Sequence, residues 1–406
     1  KLLSSLFFLN SIFYLPFIEY YSFHFSSLFF LIFFNFFLIK EIFQKENNDL
    51  IKYIYLLAFL FFNLSFNRLA EYGTDKAGQL LMVILLIKFF KIICFDKSKV
   101  ILRNLLPLIP LMALCITLKT YFLTYILVIL ALFLMKEKYF EIIKFLFFSR
   151  PFLFLIISLS AYFAHHFIST GCIISPLSIT CFGDNLDWAS NKLYYEKFSN
   201  WLEQWAKAGA GPNFRVENPD EYISNFNWFP RWFEYYFLGK VKDQLLILIS
   251  TFLATLFLFK KLKFKNKDMI FNKKILYFYL IILLIFLVWF TNHPQLRYGG
   301  YSILFLTLSI PLAIFLNSLK DKKFFKKKFF LLTILIIVIF NIKNFIRIND
   351  EFKRTDDYKF LNFPYFAIKE KKYNFEKTNS GLKIYKTEGH CWNVPSPCVQ
   401  SMDKLS

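Results

Sequence analysis

The sequence predicts an all-α polytopic integral membrane protein of about 10–11 transmembrane helices, with a long external loop and an external C-terminal tail. Three observations lead there: apolar residues make up 57% of the chain, 58 of its 406 residues are Phe and only 11 are Gly, and Lys and Arg punctuate apolar runs. A soluble domain of this length seldom carries that mixture. The net charge of +21 would suggest nucleic acid in a soluble protein. DNA binding, however, needs a basic face on a folded soluble module, so the lipid bilayer and not nucleic acid is the expected partner. Phe, Ile, Leu, Lys and Asn are all over-used, as in an AT-rich coding sequence, so the Phe content alone is not read as a stacking platform.

A membrane-spanning helix needs about 20 mostly apolar residues. The segments 22–40, 50–66, 77–95, 100–118, 120–135, 151–168, 243–259, 275–291, 301–318 and 329–346 meet that requirement, 120–135 being the shortest. The stretch 2–18 is also apolar, but Pro16 and Glu19 end it early, leaving either a span or an interfacial helix. The division expected is a multi-span membrane domain over 1–346 and a small external segment over 347–406. Because the chain opens at Lys1 inside an apolar stretch, a further N-terminal segment is expected upstream.

Orientation follows from Lys and Arg in the short connections. The connections 40–52, 88–103, 136–150, 260–274 and 319–328 carry 25 of them, whereas 67–76, 117–121 and 292–300 carry 4. The first set is assigned to the cytoplasm of a bacterial inner membrane, which places 67–76, 169–242, 292–300 and 347–406 in the periplasm. Cys172, Cys181, Cys391 and Cys398 all fall on that oxidising side, where disulfides persist. Local pairs Cys172–Cys181 and Cys391–Cys398 are expected, with cross-pairing of the two loops left open. A zinc site is the rival reading, but it lacks His partners at ligand spacing. Cys94 and Cys115 lie within spans and read as small apolar residues.

Within the external loop 169–242, Tyr194, Phe198, Trp201 and Trp205 recur at helical spacing near 187–208, with Glu196, Lys197, Glu203 and Lys207 on the other face. That pattern predicts an amphipathic helix lying on the membrane, either as an anchor or as a platform for a lipid-linked substrate. A second aromatic cluster, NWFPRWFEYYF at 227–237, is placed at the headgroup level before the next span.

Ionisable residues at the outer ends of spans are costly unless hydrated, paired or used. The loop NRLAEYGTDKAGQ at 67–79 gathers Arg68, Glu71, Asp75, Lys76 and Gln79 around Gly73 and Gly78. Two carboxylates four residues apart can serve as general base and metal ligands, and Arg68 and Lys76 can neutralise phosphate. The bland alternative is a self-neutralising salt-bridged loop. The second candidate, TNHPQLRYGGY at 291–301, holds His293, Arg297 and Tyr298 beside the Gly299–Gly300 pair, which permits close backbone approach. Arg297 suits a phosphate or pyrophosphate, or else snorkels to the interface. His165 and His166, at the outer end of span 151–168, are candidates for headgroup binding or proton relay, although adjacent residues point to different helix faces. There is no Walker loop, GxGxxG, HExxH or GxSxG motif to support ATP-driven transport, dinucleotide chemistry, zincin or serine-hydrolase activity.

This layout of many spans, acidic short external loops, a long external loop, an RYGGY-type loop and an external tail resembles the membrane glycosyltransferases of the GT-C superfold. EYGTDKAGQ and CWNVPSPC are similar to uncharacterised bacterial proteins of the cell-envelope polysaccharide branch. The resemblance implies transfer of a sugar from a polyprenyl-phosphate donor to an envelope glycan or lipid acceptor on the periplasmic face. It gives Glu71 and Asp75 the supporting acidic role in catalysis or in holding a divalent cation, Mg or Mn. Arg68, Lys76, Gln79, His293, Arg297, Tyr298, His165 and His166 become substrate-binding candidates. One feature departs from the family pattern: no acidic residue matches the catalytic Asp of the first external loop, for which Glu19 is a poor substitute, so that Asp is expected upstream of Lys1. Two alternatives stand beside this reading. An O-antigen polymerase or ligase would rely on Arg297 and His293, and a lipid-linked oligosaccharide flippase or transporter would need ionisable residues deep in the spans, where Lys88 and Lys91 are the deepest.

Overall fold

The computed structural model describes residues 25–66, 75–95, 104–128, 144–175, 177–211, 214–264, 273–321, 325–356, 358–361, 372–378, 381–388, 391, 394–395 and 397–400. Its helices are α1 (Phe25–Phe43), α2 (Asp49–Ser65), α3 (Asp75–Phe95), α4 (Leu108–Leu118), α5 (Arg150–Thr170), α6 (Lys192–Ala206), α7 (Pro219–Ile223), α8 (Phe229–Phe259), α9 (Lys273–Asn292), α10 (Gly300–Ser318) and α11 (Phe325–Arg354). Among the described residues, α3, α5, α8, α9, α10 and α11 are long and apolar enough to cross a membrane. The protein is thus a helical polytopic membrane protein.

α2 explains how the bundle is organised. Its sequence, DLIKYIYLLAFLFFNLS, is apolar on every side, and a helix of that kind is stable only when surrounded. It is buried from Leu50 to Leu64 with few breaks, and α1, α3, α8, α10 and α11 pack around it. Asn35 on α1 and Asn63 on α2 exchange side-chain hydrogen bonds of 2.9 and 2.7 Å, the kind of polar link that joins helices where water is scarce.

The two ends of the bundle differ in chemistry. At one end, Glu41 of α1 is buried and paired with Lys88 at 2.6 Å, with Lys91 at 4.0 Å and with Asn47. There β3 (Lys260–Phe264) pairs antiparallel with β4 (Leu319–Asp321), tying the end of α8 to the end of α10. This is the end whose connections are rich in Lys. At the other end lie the turn at 119–121, the segment 171–232 and the turn 293–299. Within the large loop, β1 (Ala210–Gly211) pairs with β2 (Phe214–Arg215). After α11, β5 (Tyr373–Lys377), β6 (Lys383–Thr387) and β7 (Cys398–Gln400) form a small sheet, antiparallel then parallel. Both local disulfides, Cys172–Cys181 and Cys391–Cys398, are formed.

Several boundaries differ from the sequence expectation. The segment 100–118 is interrupted by a turn at Leu106–Pro107, so its helix, α4, has only 11 residues; proline removes an amide donor and starts helices more readily than it continues them. The expected span 120–135 begins as a 3-10 helix, Thr120–Ile126, and lies outside the described residues from 129. The aromatic stretch 227–237 is itself helical from Phe229, continuous with the span that was expected to begin at 243, and is wound as a π-helix over Phe233–Val241. The amphipathic helix of the external loop covers Lys192–Ala206, started by Asn191, whose side chain accepts from the Tyr194 amide.

Candidate functional site

The turn between α9 and α10 is the point on which the loop end converges. Gln79 of α3 is fully buried; its Nε2 donates to Leu296 O at 2.9 Å, and its Oε1 accepts from the Ser302 amide at 3.2 Å. From the 3-10 helix, Tyr125 OH donates to Gly299 O at 3.2 Å and shares a 2.9 Å bond with Ser302 Oγ. α8 contributes two links: Trp232 Nε1 donates to Pro294 O at 2.8 Å, and Tyr236 OH accepts from the Leu296 amide at 2.8 Å. Trp289 Nε1 donates to Gln295 O at 3.0 Å, while Gln295 Nε2 reaches up to Trp205 O of α6. The turn is held rigid from five directions.

The glycine pair is what makes this approach possible. Gly299 has φ +87°, in the left-handed region that favours glycine, and a Cβ there would stand 3.3 Å from the Tyr121 ring. A Cβ on Gly300 would lie 2.7 Å from the Trp289 ring and 2.9 Å from Gln295 O.

On this platform stands a cluster of titratable and cationic groups. The His293 ring lies 5.4 Å from that of Tyr298 and 6.4 Å from that of Tyr121. Lys119 places its ammonium 4.6 Å above the Tyr298 ring, and the Arg297 guanidinium lies 5.6 Å from the same ring, with Arg297 exposed. Such cation–ring contacts fix the direction of long basic side chains. Glu203 of α6 and Lys207, the residue that follows the helix, form an ion pair close enough to influence His293. Lys207 is buried, lies 5.2 Å from the Trp228 ring and donates to Ile223 O. Burial holds the His293 imidazole below its ordinary range; Glu203 opposes this, and Lys207 and Lys119 reinforce it. Nearby, Tyr222 OH donates to Lys207 O at 2.7 Å, and burial pushes that phenol up to about 12. The Tyr121 hydroxyl is buried and has no hydrogen-bond partner among the described residues.

The sequence candidates fare differently. His293, Arg297 and Tyr298 share the platform. Gln79, expected to bind substrate, instead spends both ends of its amide on the turn and is a positioning residue. Lys76 lies half-buried with its ammonium 5.7 Å from the Phe66 ring. Asp75 is the first residue of α3, and its side chain, with Arg68 and Glu71, lies outside the described residues. His166 packs on Tyr162 at 4.6 Å, and the Tyr162 hydroxyl bonds Thr120 Oγ1 at 2.8 Å, which connects it to the rim of the site; His165 is half-buried on α5.

Lys119, Tyr121, Tyr125, Glu203 and Lys207 were not singled out as site residues. Polar and aromatic residues in KTYFLTY, inside a segment read as a span, carried a usable signal. Glu203 and Lys207 carried none, since the polar face of any amphipathic helix looks the same. A divalent cation does not fit this cluster: Lys119, Lys207 and Arg297 surround it, and the described residues contain no group of three or more His, Cys, Asp or Glu suited to a metal. Glu71 and the side chain of Asp75, where a divalent cation is expected, lie outside the described residues.

No curated protein and no solved structure matches the chain. A family model, the domain of unknown function DUF8201, matches residues 2–305. That match begins ahead of α1, runs into α10 and includes the whole turn 293–299 together with α6. The chain therefore belongs to the DUF8201 family.

Proposed function

We propose that the protein is a membrane glycosyltransferase that moves a sugar from a polyprenyl-phosphate donor to an envelope glycan or lipid acceptor on the periplasmic face of a bacterial inner membrane. The observation that carries this reading is the joining, through Gln79, of the two loops whose chemistry points to phosphate, at the end of the bundle opposite the basic loops. Two disulfides in the segments assigned to the periplasm agree with that sidedness.

In the proposed reaction an acceptor hydroxyl attacks the anomeric carbon, the bond from that carbon to the phosphate oxygen breaks, and the lipid phosphate leaves with the electron pair. Lys119 and Arg297 supply positive charge for the departing phosphate. A neutral His293 can receive the proton of the attacking hydroxyl, and the Tyr121 hydroxyl offers a donor to a substrate oxygen. Asp75 and Glu71 keep the supporting acidic role that the resemblance implies. The test is envelope glycan from cells carrying Asp75→Asn or Arg297→Ala: each is expected to lose about a hundredfold or more in transfer, the usual scale for such groups. Unchanged glycan in both, with normal insertion, overturns the reading.

A second reading, an O-antigen polymerase or ligase, is favoured by the predominance of His, Arg, Lys and Tyr in the described cluster. It predicts loss of activity in His293→Ala and Arg297→Ala with full activity in Asp75→Asn and Glu71→Gln. The flippase alternative gains nothing from Lys88, which pairs with Glu41 at the basic end.

A further inference from the structure

We propose that the disulfide-closed turn Cys172–Cys181, with the residues on either side of it, is a membrane-inserting hook that seats the external loop in the lipid leaflet next to α5. This rests on the membrane reading and is independent of the chemistry proposed above.

The sequence supplies the first observation. From Pro151 to Gly183 there is no Asp, Glu, Lys or Arg, so the uncharged run continues well past the 21 residues that α5 uses to cross. Beyond the helix the chain stays uncharged until Asp184. The structure supplies the second. Ile179 is 80% exposed, Ile168 70%, Trp188 55% and Leu177 48%, with Ile173 and Phe182 exposed beside them. Phe167 of α5 links part of this group, its ring lying 6.0 Å from that of Phe182 and 6.2 Å from that of Trp188; isolated apolar side chains on a surface are ordinary, whereas a contiguous group marks something that covers it.

Backbone bonding provides the third observation, because a peptide entering lipid must satisfy its own polar groups. The turn does so. Ile173 N donates to Thr180 O at 3.0 Å, Leu177 N to Ile174 O at 2.8 Å, Thr180 N to Leu177 O at 2.9 Å and Cys181 N to Ser178 O at 3.0 Å. Phe182 N donates to Gly171 O at 2.8 Å, and Thr180 Oγ1 accepts from Ile174 N at 3.0 Å. With Cys172 and Cys181 joined, the turn is a closed unit that carries its hydrogen bonds with it.

Continuity identifies the occupant. Among the described residues α5 is almost wholly unburied along its length and packs mainly on α4, and the exposed group begins on its last turns at Ile168, so the lipid that faces α5 also faces this group. Trp188, which follows Asp184 and directly follows Asp187, marks the level at which headgroups take over from hydrocarbon.

The test uses the full chain, oxidised, in vesicles of equal parts phosphatidylethanolamine and phosphatidylglycerol. A nitroxide at Ile179→Cys is compared with one at Glu196→Cys, which is exposed on α6, by collision with oxygen, enriched in lipid, and with a water-soluble nickel chelate. The proposal expects oxygen to exceed nickel severalfold at position 179 and the reverse at 196. Equal nickel access at both overturns it, and so does a label shielded from both reagents, which indicates a protein contact such as a second copy. A second measurement avoids the added thiol: brominated lipid should quench a part of the tryptophan emission that disappears in Trp188→Phe, and an unchanged quenched fraction also overturns the proposal.

Discussion

His293 is the side chain whose surroundings say most about conditions of use. Its imidazole is depressed by burial, so as pH falls the unfolded chain takes up the proton before the folded chain does. Stability from this group is therefore intact above the ordinary histidine range, near pH 6.5, and declines as pH falls below it. Thermal unfolding of the detergent-solubilised protein between about pH 8 and pH 5 should show that decline, and His293→Gln should reduce it. If His293 is the proton acceptor, transfer activity persists somewhat below the ordinary histidine range before it is lost. Gln79 invites a different experiment. Gln79→Leu leaves Leu296 O without its amide donor and the Ser302 amide without its acceptor, and the expected cost is about 1–3 kcal/mol for each buried group stranded. A melting midpoint equal to wild type would refute that role. The sequence pointed to Gln79 because of its polarity in an outer loop, but polarity does not distinguish a ligand from a brace. Only the partner atoms do, and they lie more than two hundred residues away.

At the level of elements, the turn 293–299 and the long helix α8 depended on different kinds of information. The Gly299–Gly300 pair announced close backbone approach, and the structure supplies the neighbours, Tyr121 on one side and Trp289 with Gln295 on the other. Gly300→Ala forces a shift of the indole or of the Gln295 carbonyl, and overpacking of that sort costs about 1–3 kcal/mol. The variant should melt lower and lose glycan transfer together, and full transfer at wild-type stability would show that the close approach is dispensable. The span limits of α3, α9 and α10 were legible because a run of apolar residues long enough to cross has few other fates in a chain this hydrophobic. The early start of α8 was not. Aromatic residues mixed with Arg231 and Glu234 satisfy an interfacial anchor as well as a helix, and a π-helical winding leaves no clear period for a reader of sequence to count.

Over the whole molecule, charge and cysteine gave the same partition, and the described elements gather at two ends of the bundle. Glu41 meets Lys88 and β3 meets β4 at one end, while the turns at 119–121 and 293–299 and the helix α6 meet at the other. The expected outcome of labelling intact spheroplasts with an impermeant amine reagent is modification at exposed Lys192 and Lys197 and none at exposed Lys261 or Lys273 until the membrane is opened. The opposite pattern would invert the topology and remove the case for periplasmic chemistry. The composition of the site was half legible for a related reason: residues concentrated in one short loop stand out against an apolar background, whereas Lys119 and Glu203 come from separate elements that only folding brings together.

The bracing of the 293–299 turn has a consequence for how the protein is made. Its partners come from α3, the 3-10 helix, α6, α8 and α9, all of which leave the ribosome before α10. A nascent chain halted before residue 293 therefore holds Gln79, Tyr125 and Trp232 in or beside lipid with nothing to bond, which makes an unfinished chain recognisable to the proteases that survey membranes. Chains truncated after Asn292 should be cleared rapidly in pulse-chase, and chains ending after Ser318 should persist; equal lifetimes would show that the unmet amide and hydroxyls go unnoticed.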